Sequence, residues 1–238
     1  MTKRIGLLMV GHVDANSVHI AGDYPELFAS LLSSYDIDLV RYDIDRGVFP
    51  DRVGECDGWI CSPSRASVYD GDAWIADLQS LHLEFVRRET PYVGVCFGHQ
   101  LLAQALGTPV TRAADGWGVG VQQYRVVTQQ PWMDAEDPVL FSLLASHQDQ
   151  VTALPADATL LFDSESGYCP IAGMVVGERA WTIQPHPEFT APLADHLLAG
   201  RVELIGAQRV AAARASLRSP IDPQLVARWI ATFFDNVT

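Results

Sequence analysis

Short runs rich in Val, Ile and Leu alternate, over the first 96 residues, with segments whose apolar residues return every three or four positions. The runs are RIGLLMVG (4–11), YDIDLVRYD (35–43), GWICS (58–62) and PYVGVC (91–96). Between them lie ELFASLLSSY (26–35) and DAWIADLQSLHLEFVRR (72–88). Strand, helix, strand, helix order constrains the chain to a mainly parallel α/β sheet with helices on both faces. After about residue 118 the texture becomes β-rich, with VGVQQYRVVT (119–128), ATLLFDS (158–164) and IAGMVVGERAWTIQPHPEF (171–189), the last turning at Gly177 and Glu178. Two helical patterns over 195–218 and 222–234 close the chain, separated by Ser219 and Pro220. The expectation is a single domain over residues 1–238 with a smaller β-rich addition to the parallel sheet.

The charge balance narrows the partners. Lys and Arg number 16 against 29 Asp and Glu, a formal net charge of −13, which argues against a phosphate-backbone ligand. No run approaches the roughly 18 apolar residues of a membrane span, and MTKRIGLLMVG lacks the core length and cleavage site of a secretory signal. The sequence therefore reads as soluble and cytoplasmic, with no membrane partner. Cys56, Cys61, Cys96 and Cys169 form neither a CxxC pair nor a zinc-finger alternation with His, so reduced thiols are expected and no metal or cofactor.

One cysteine stands apart. In YVGVCFGHQLLAQALG the strand pattern ends at Cys96 and a helical pattern begins, which puts the thiol on a sharp strand-to-helix turn. A thiol there faces the positive end of a helix dipole, and the N–H of Phe97 is left free to hold a developing oxyanion. Gly94 and Gly98 allow the turn to be tight. The same position also suits an ordinary buried cysteine at the end of a core strand. A nucleophile needs a base, and His186 stands out in WTIQPHPEF, where flanking prolines favour an extended chain with His186 and Glu188 pointing the same way. A carboxylate at Glu188 would orient the imidazole, the third-group role in a triad.

The two segments together, GVCFGHQLLA and QPHPEF, resemble the signature of the class I glutamine amidotransferases. SPSRASVYDGDAWI (62–75) is similar to their oxyanion-loop region, and SHQDQVTALP (146–155) to the segment before the last strands in GMP-synthase-like members. The resemblance covers about residues 4 to 190. It implies a flavodoxin-like fold, Cys96 as nucleophile, His186 as base and then acid, and Glu188 as the group that holds His186. It implies oxyanion donors at Phe97 and in the loop at Cys61 and Ser62, and substrate contacts from Gln100, Gly118, Val119 and His147. Asp149 completes an HxD pattern with His147, and His99, three residues past Cys96, is expected to face packing. Cys61 stands where the family usually has glycine, so a Cβ there would cost strain if the position needed a positive φ. Cys61 is also a candidate for a regulatory disulfide with Cys96.

Only 50 residues follow Glu188, and no Gly-rich nucleotide motif is present, so nothing in the sequence would activate an ammonia acceptor. The leading expectation is an enzyme that cleaves the γ-amide of glutamine through a γ-glutamyl thioester, with the ammonia passing to a separate synthetase partner. A γ-glutamyl hydrolase or peptidase forms the same acyl-enzyme and is the alternative. A catalytically silent regulatory or binding subunit on the same fold is the third reading.

Overall fold

Residue alternation in the strands decides how the layers assemble. In the computed structural model, which describes residues 2–237, strand β1 (Lys3–Met9) sends Ile5, Leu7 and Met9 into one apolar cluster and Leu8 into another on the opposite face. A strand buried on both faces in this way belongs inside a sheet covered by helices on each side. The chain continues through α1 (Val18–Ala21), α2 (Tyr24–Leu31), β2 (Ile37–Asp43), β3 (Gly58–Cys61), α3 (Ala73–Arg87), β4 (Tyr92–Val95) and α4 (Phe97–Ala105). It then forms six strands: β5 (Val110–Arg112), β6 (Gly118–Val126), β7 (Leu140–His147), β8 (Asp149–Val151), β9 (Ala158–Ser164) and β10 (Gly173–Val176). Strand β11 (Ala180–Ile183) and helices α5 (Ala191–Ala199), α6 (Val202–Ile205), α7 (Ala207–Ser216) and α8 (Pro223–Val237) complete it.

Among the described residues, nine strands form one mixed sheet in the order β2-β1-β3-β4-β11-β10-β9-β6-β7, and β5 pairs with β8 in a separate ribbon. From β2 through β11 neighbours run parallel, and from β11 outward they run antiparallel. The β-rich addition read from the sequence thus extends the parallel sheet. The β10–β11 hairpin turns at Gly177 and Glu178 as expected, with Val176 opposite Ala180.

Helix α2 begins at a capping box, Asp23 on the first turn and Glu26 reaching back to the Asp23 N–H. Helices α3 and α4 supply Ile75, Leu78, Phe85, Leu101 and Leu102 to one face of the sheet, and α2 and α8 supply Leu27, Phe28, Trp229, Ile230 and Phe233 to the other. The helical pattern read over 195–218 is three helices. The break after α6 falls at Gly206, whose φ of +97° suits glycine, and another falls between Gly200 and Arg201. No helix among the described residues is long and apolar enough to cross a membrane.

Trp229 anchors the second face. It is fully buried, stacks on Phe162 with ring centroids 5.6 Å apart, and donates from Nε1 to Asp137 Oδ2 at 2.7 Å. Trp229→Ala removes a large buried ring and strands a hydrogen-bond partner, so urea unfolding is expected to show a loss of about 3–5 kcal/mol. A loss under about 1 kcal/mol would contradict this packing.

Candidate active site

The site is built where β4 and β11 leave the sheet side by side. Val95 is in register with Ile183, and the Cys96 N–H donates to the Ile183 carbonyl at 2.8 Å, so both chains exit at the same carboxyl edge. That edge is where ligands bind in open α/β sheets.

Cys96 sits between β4 and α4 at φ +51°, ψ −95°, a conformation that costs a non-glycine residue about 1–3 kcal/mol. The surroundings hold it there. A Cβ on Gly94 would lie 2.7 Å from the Gly98 backbone, and one on Gly98 would lie 2.8 Å from the Cys61 side chain, so both glycines are required by close approach. Beneath the turn, Tyr92 Oη donates to the Gly98 carbonyl at 3.1 Å and lies 2.6 Å from His82 Nε2. Gln100 makes the first intrahelical bond, back to the Cys96 carbonyl at 3.0 Å, so the N–H groups of Phe97, Gly98 and His99 precede the hydrogen-bonded ladder. Cys96 is 6% exposed at the floor of a cleft of about 310 Å³.

His186 reaches the same cleft from β11. Its N–H donates to the Leu144 carbonyl at 2.9 Å, which extends the sheet past Ile183 and fixes the residue between two prolines. Nδ1–H donates to Glu188 Oε1 at 2.8 Å, and Phe189 stacks on the ring with centroids 4.1 Å apart. Nε2 makes no hydrogen bond among the described residues and lies within electrostatic range of Cys96. Burial pushes the imidazole pKa down, but the Glu188 carboxylate and the charge of Cys96 outweigh it and raise the value to about 10.

Other residues singled out in the sequence divide. Gln100 lines the cleft, its Nε2 donating to the Asp149 carbonyl at 2.9 Å and to Gln184 Oε1 at 3.0 Å. His147 also lines it, with Nδ1 on the Asp149 carbonyl at 3.2 Å and Nε2 without a partner among the described residues. Burial, opposed by that hydrogen bond and aided by nearby His186, lowers its pKa to about 4, so it is neutral at pH 7. The Asp149 carboxylate accepts from Ser67 Oγ at 2.6 Å and Tyr69 Oη at 3.0 Å, which ties the loop after β3 to β8. His99 is fully buried between Thr182 Oγ1 and the Ile171 carbonyl, and burial lowers its pKa to about 3. It packs α4 on the sheet.

Gly118 and Val119 do not line the cleft. They pair with His147 and Ser146 in β6–β7, and Val119 packs under α7, leaving Trp117 as the neighbour that reaches the cleft. Cys61 and Ser62 do not line it either. The Ser62 N–H is committed to the Leu8 carbonyl at 3.0 Å, and its hydroxyl accepts from the Val10 N–H at 3.1 Å. Cys61 lies inside β3 with no positive φ, so its Cβ brings no backbone strain. Its register partner is Gly94, two residues short of Cys96. Strand spacing and rise put the two cysteine Cα atoms about 8 Å apart, beyond the reach of an unstrained disulfide. The cleft wall instead begins at Pro63 and Ser64. Tyr24, Arg65, Arg112, Phe189 and Arg201 also line it without having been singled out. Phe189 could have been found beside the histidine motif, whereas the arginines carry no sequence signal.

The raised His186 pKa has a definite sign. Above its ordinary 6.5, it contributes stability fully present below about pH 6.5 and lost as pH rises through about 10. Glu188→Gln removes the first stabilising charge, so ring-proton NMR titration is expected to move His186 to lower pKa, and turnover to fall about 10²–10⁴-fold. An unchanged titration would contradict the pairing.

Comparison with known proteins agrees with this geometry. A family model described as glutamine amidotransferase class-I matches residues 28–201. The chain is 30% identical over 196 residues to gamma-glutamyl peptidase 5 of Arabidopsis thaliana, covering 79% of this chain and 76% of that protein. It is 32% identical over 160 residues to the glutamine-hydrolyzing subunit of GMP synthase from Halobacterium salinarum, covering 64% and 78%. A solved glutamine amidotransferase from Thermotoga maritima superposes with a TM-score of 0.76 at 19% identity, over 99% of this chain and 97% of the other, a likeness of fold. The chain belongs to the class I glutamine amidotransferase family.

Proposed function

We propose that the chain hydrolyses the C–N bond of γ-glutamyl amides, glutamine among them, through a Cys96–His186–Glu188 triad. One observation carries the reading: a cysteine held at a positive φ opens onto the same cleft as a histidine whose Nδ1 is bound to a buried carboxylate and whose Nε2 is unpaired among the described residues. A buried cysteine of purely structural role needs neither the strained backbone nor the paired imidazole.

The chemistry follows from these groups. The Cys96 thiolate attacks the γ-carbonyl carbon, a C–S bond forms, and the carbonyl π pair moves onto oxygen. The Phe97 N–H at the start of α4 receives that charge. In the loop, Ser62 has spent its N–H on Leu8 and Pro63 has none, so Ser64 is the first residue on the cleft wall able to donate a second. His186 in its protonated form gives Nε2–H to the leaving nitrogen, the C–N bond breaks, and a γ-glutamyl thioester remains. The neutral Nε2 then takes a proton from water, the hydroxide adds to the thioester carbon, and the C–S bond breaks to give glutamate. Glu188 stabilises the imidazolium at each stage and keeps the Nε2 nitrogen facing the cleft. With glutamine the nitrogen leaves as ammonia, for which a separate synthetase subunit is the acceptor partner. With a γ-glutamyl peptide it leaves as an amino acid or peptide.

The kinship to proteins named γ-glutamyl peptidases and to one named as glutamine-hydrolysing supports this bond as the target. Cys96→Ala is expected to reduce glutamate release from glutamine and from γ-glutamyl dipeptides about 10³-fold or more while circular dichroism stays native. Turnover surviving in that folded variant would overturn the assignment.

A further inference from the structure

The cleft is cationic although the chain carries a net charge of −13. Arg65, Arg112 and Arg201 line it, and its only lining carboxylate among the described residues, Asp149, is engaged by two hydroxyls. Arg201 is the most confined of the three. It donates from Nη1 to Ser146 Oγ at 3.1 Å, has no carboxylate partner among the described residues, and lies within electrostatic range of Cys96 and Arg65. Burial, followed by the neighbouring Arg65, lowers its pKa from the ordinary guanidinium value. A half-buried guanidinium beside another cation is costly unless an anion arrives to meet it.

The cations stand on two flanks. Arg112, on β5, belongs with Gln100, His147 and Asp149 on the β8 side. Arg65 and Arg201 form the opposite flank, and the same two residues wall a second space of about 240 Å³ that runs on past Asp14, Asn16, Ser17 and His196. Arg65 is held there by Asp14 at 2.9 Å, which offsets one of the two charges and leaves the pair net positive. Glutamine has one carboxylate and a leaving group of one nitrogen. Two cationic flanks and a space that continues beyond Cys96 suit a substrate with a second carboxylate on the far side of the scissile bond.

We propose that Arg201, with Arg65 beside it, is a subsite for a carboxylate in the leaving half of the substrate, which makes the preferred substrates γ-glutamyl amino acids or peptides over glutamine. This rests on the γ-glutamyl hydrolysis proposed above. Guanidinium–carboxylate contacts of this kind contribute enough to shift selectivity by one to two orders of magnitude. Arg201 would act on binding and orientation, and the bond-breaking steps would stay with Cys96 and His186.

The test compares γ-glutamylglycine with γ-glutamylglycinamide, which differ only in the distal carboxylate, and follows glutamate release from both and from glutamine. The wild-type enzyme is expected to favour the acid over the amide at least about tenfold in kcat/KM, and Arg201→Gln, which keeps a donor for Ser146, to erase most of that ratio. Arg201→Lys should retain part of it, and Arg65→Gln, on an exposed side chain, should lower it in the same direction. Equal wild-type turnover of acid and amide would overturn the subsite. So would an Arg201→Gln variant that loses both substrates in proportion, because Arg201 would then read the α-carboxylate they share. Failure to release glutamate from any of the three would overturn the hydrolysis itself, and the subsite with it.

Discussion

The parallel pairing of β4 with β11 is the constraint on which the site depends. Residues 88 positions apart in sequence, Val95 and Ile183, are set side by side, and the next hydrogen bond of that ladder is made by the Cys96 N–H itself. The nucleophile is thus fixed to the strand that carries the histidine, and three residues on, His186 is fixed in turn to β7 through the Leu144 carbonyl. Because each partner is held by backbone hydrogen bonds in a sheet buried on both faces, the positions do not depend on mobile side chains. The strain at Cys96 is sustained by that sheet and by the close contacts of Gly94 and Gly98 with their surroundings.

Electrostatics then separate the histidines of the region. His99 and His147 are buried without a carboxylate and have pKa values lowered to about 3 and about 4, whereas His186, equally buried, has Glu188 against Nδ1 and moves the other way. One carboxylate decides which imidazole can carry a proton at neutral pH. On the rim of the same cleft the arginines reverse the sign of the acidic protein surface, so the field inside differs from the field outside.

Much of this was legible in the sequence. The alternation of β-branched runs with amphipathic segments marked the parallel half of the sheet, and the segments around Cys96 and His186 were each readable as a turn and an extended stretch. Strand β7 was not readable, because LFSLLASH spaces its leucines as a helix does and becomes a strand only through pairing with β6. Ser62 as an oxyanion donor was misplaced for a similar reason: its N–H is spent on Leu8, a partner 54 residues away that no local pattern reveals. Gly118 and Val119 lay one residue beyond the cleft, which Trp117 reaches. The arginines were invisible because scattered single cations at Arg65, Arg112 and Arg201 acquire meaning only when loops after β3, β5 and α5 converge.

The central claim is that Cys96 carries the γ-glutamyl group as a thioester between two steps. Rapid acid quench during turnover of a γ-glutamyl substrate, followed by peptide mass spectrometry, tests it directly. The account predicts a mass increase of one γ-glutamyl group on the peptide containing Cys96, absent without substrate. Steady turnover with no adduct, where a pre-steady-state burst shows that an intermediate accumulates, or an adduct on any residue other than Cys96, would contradict it.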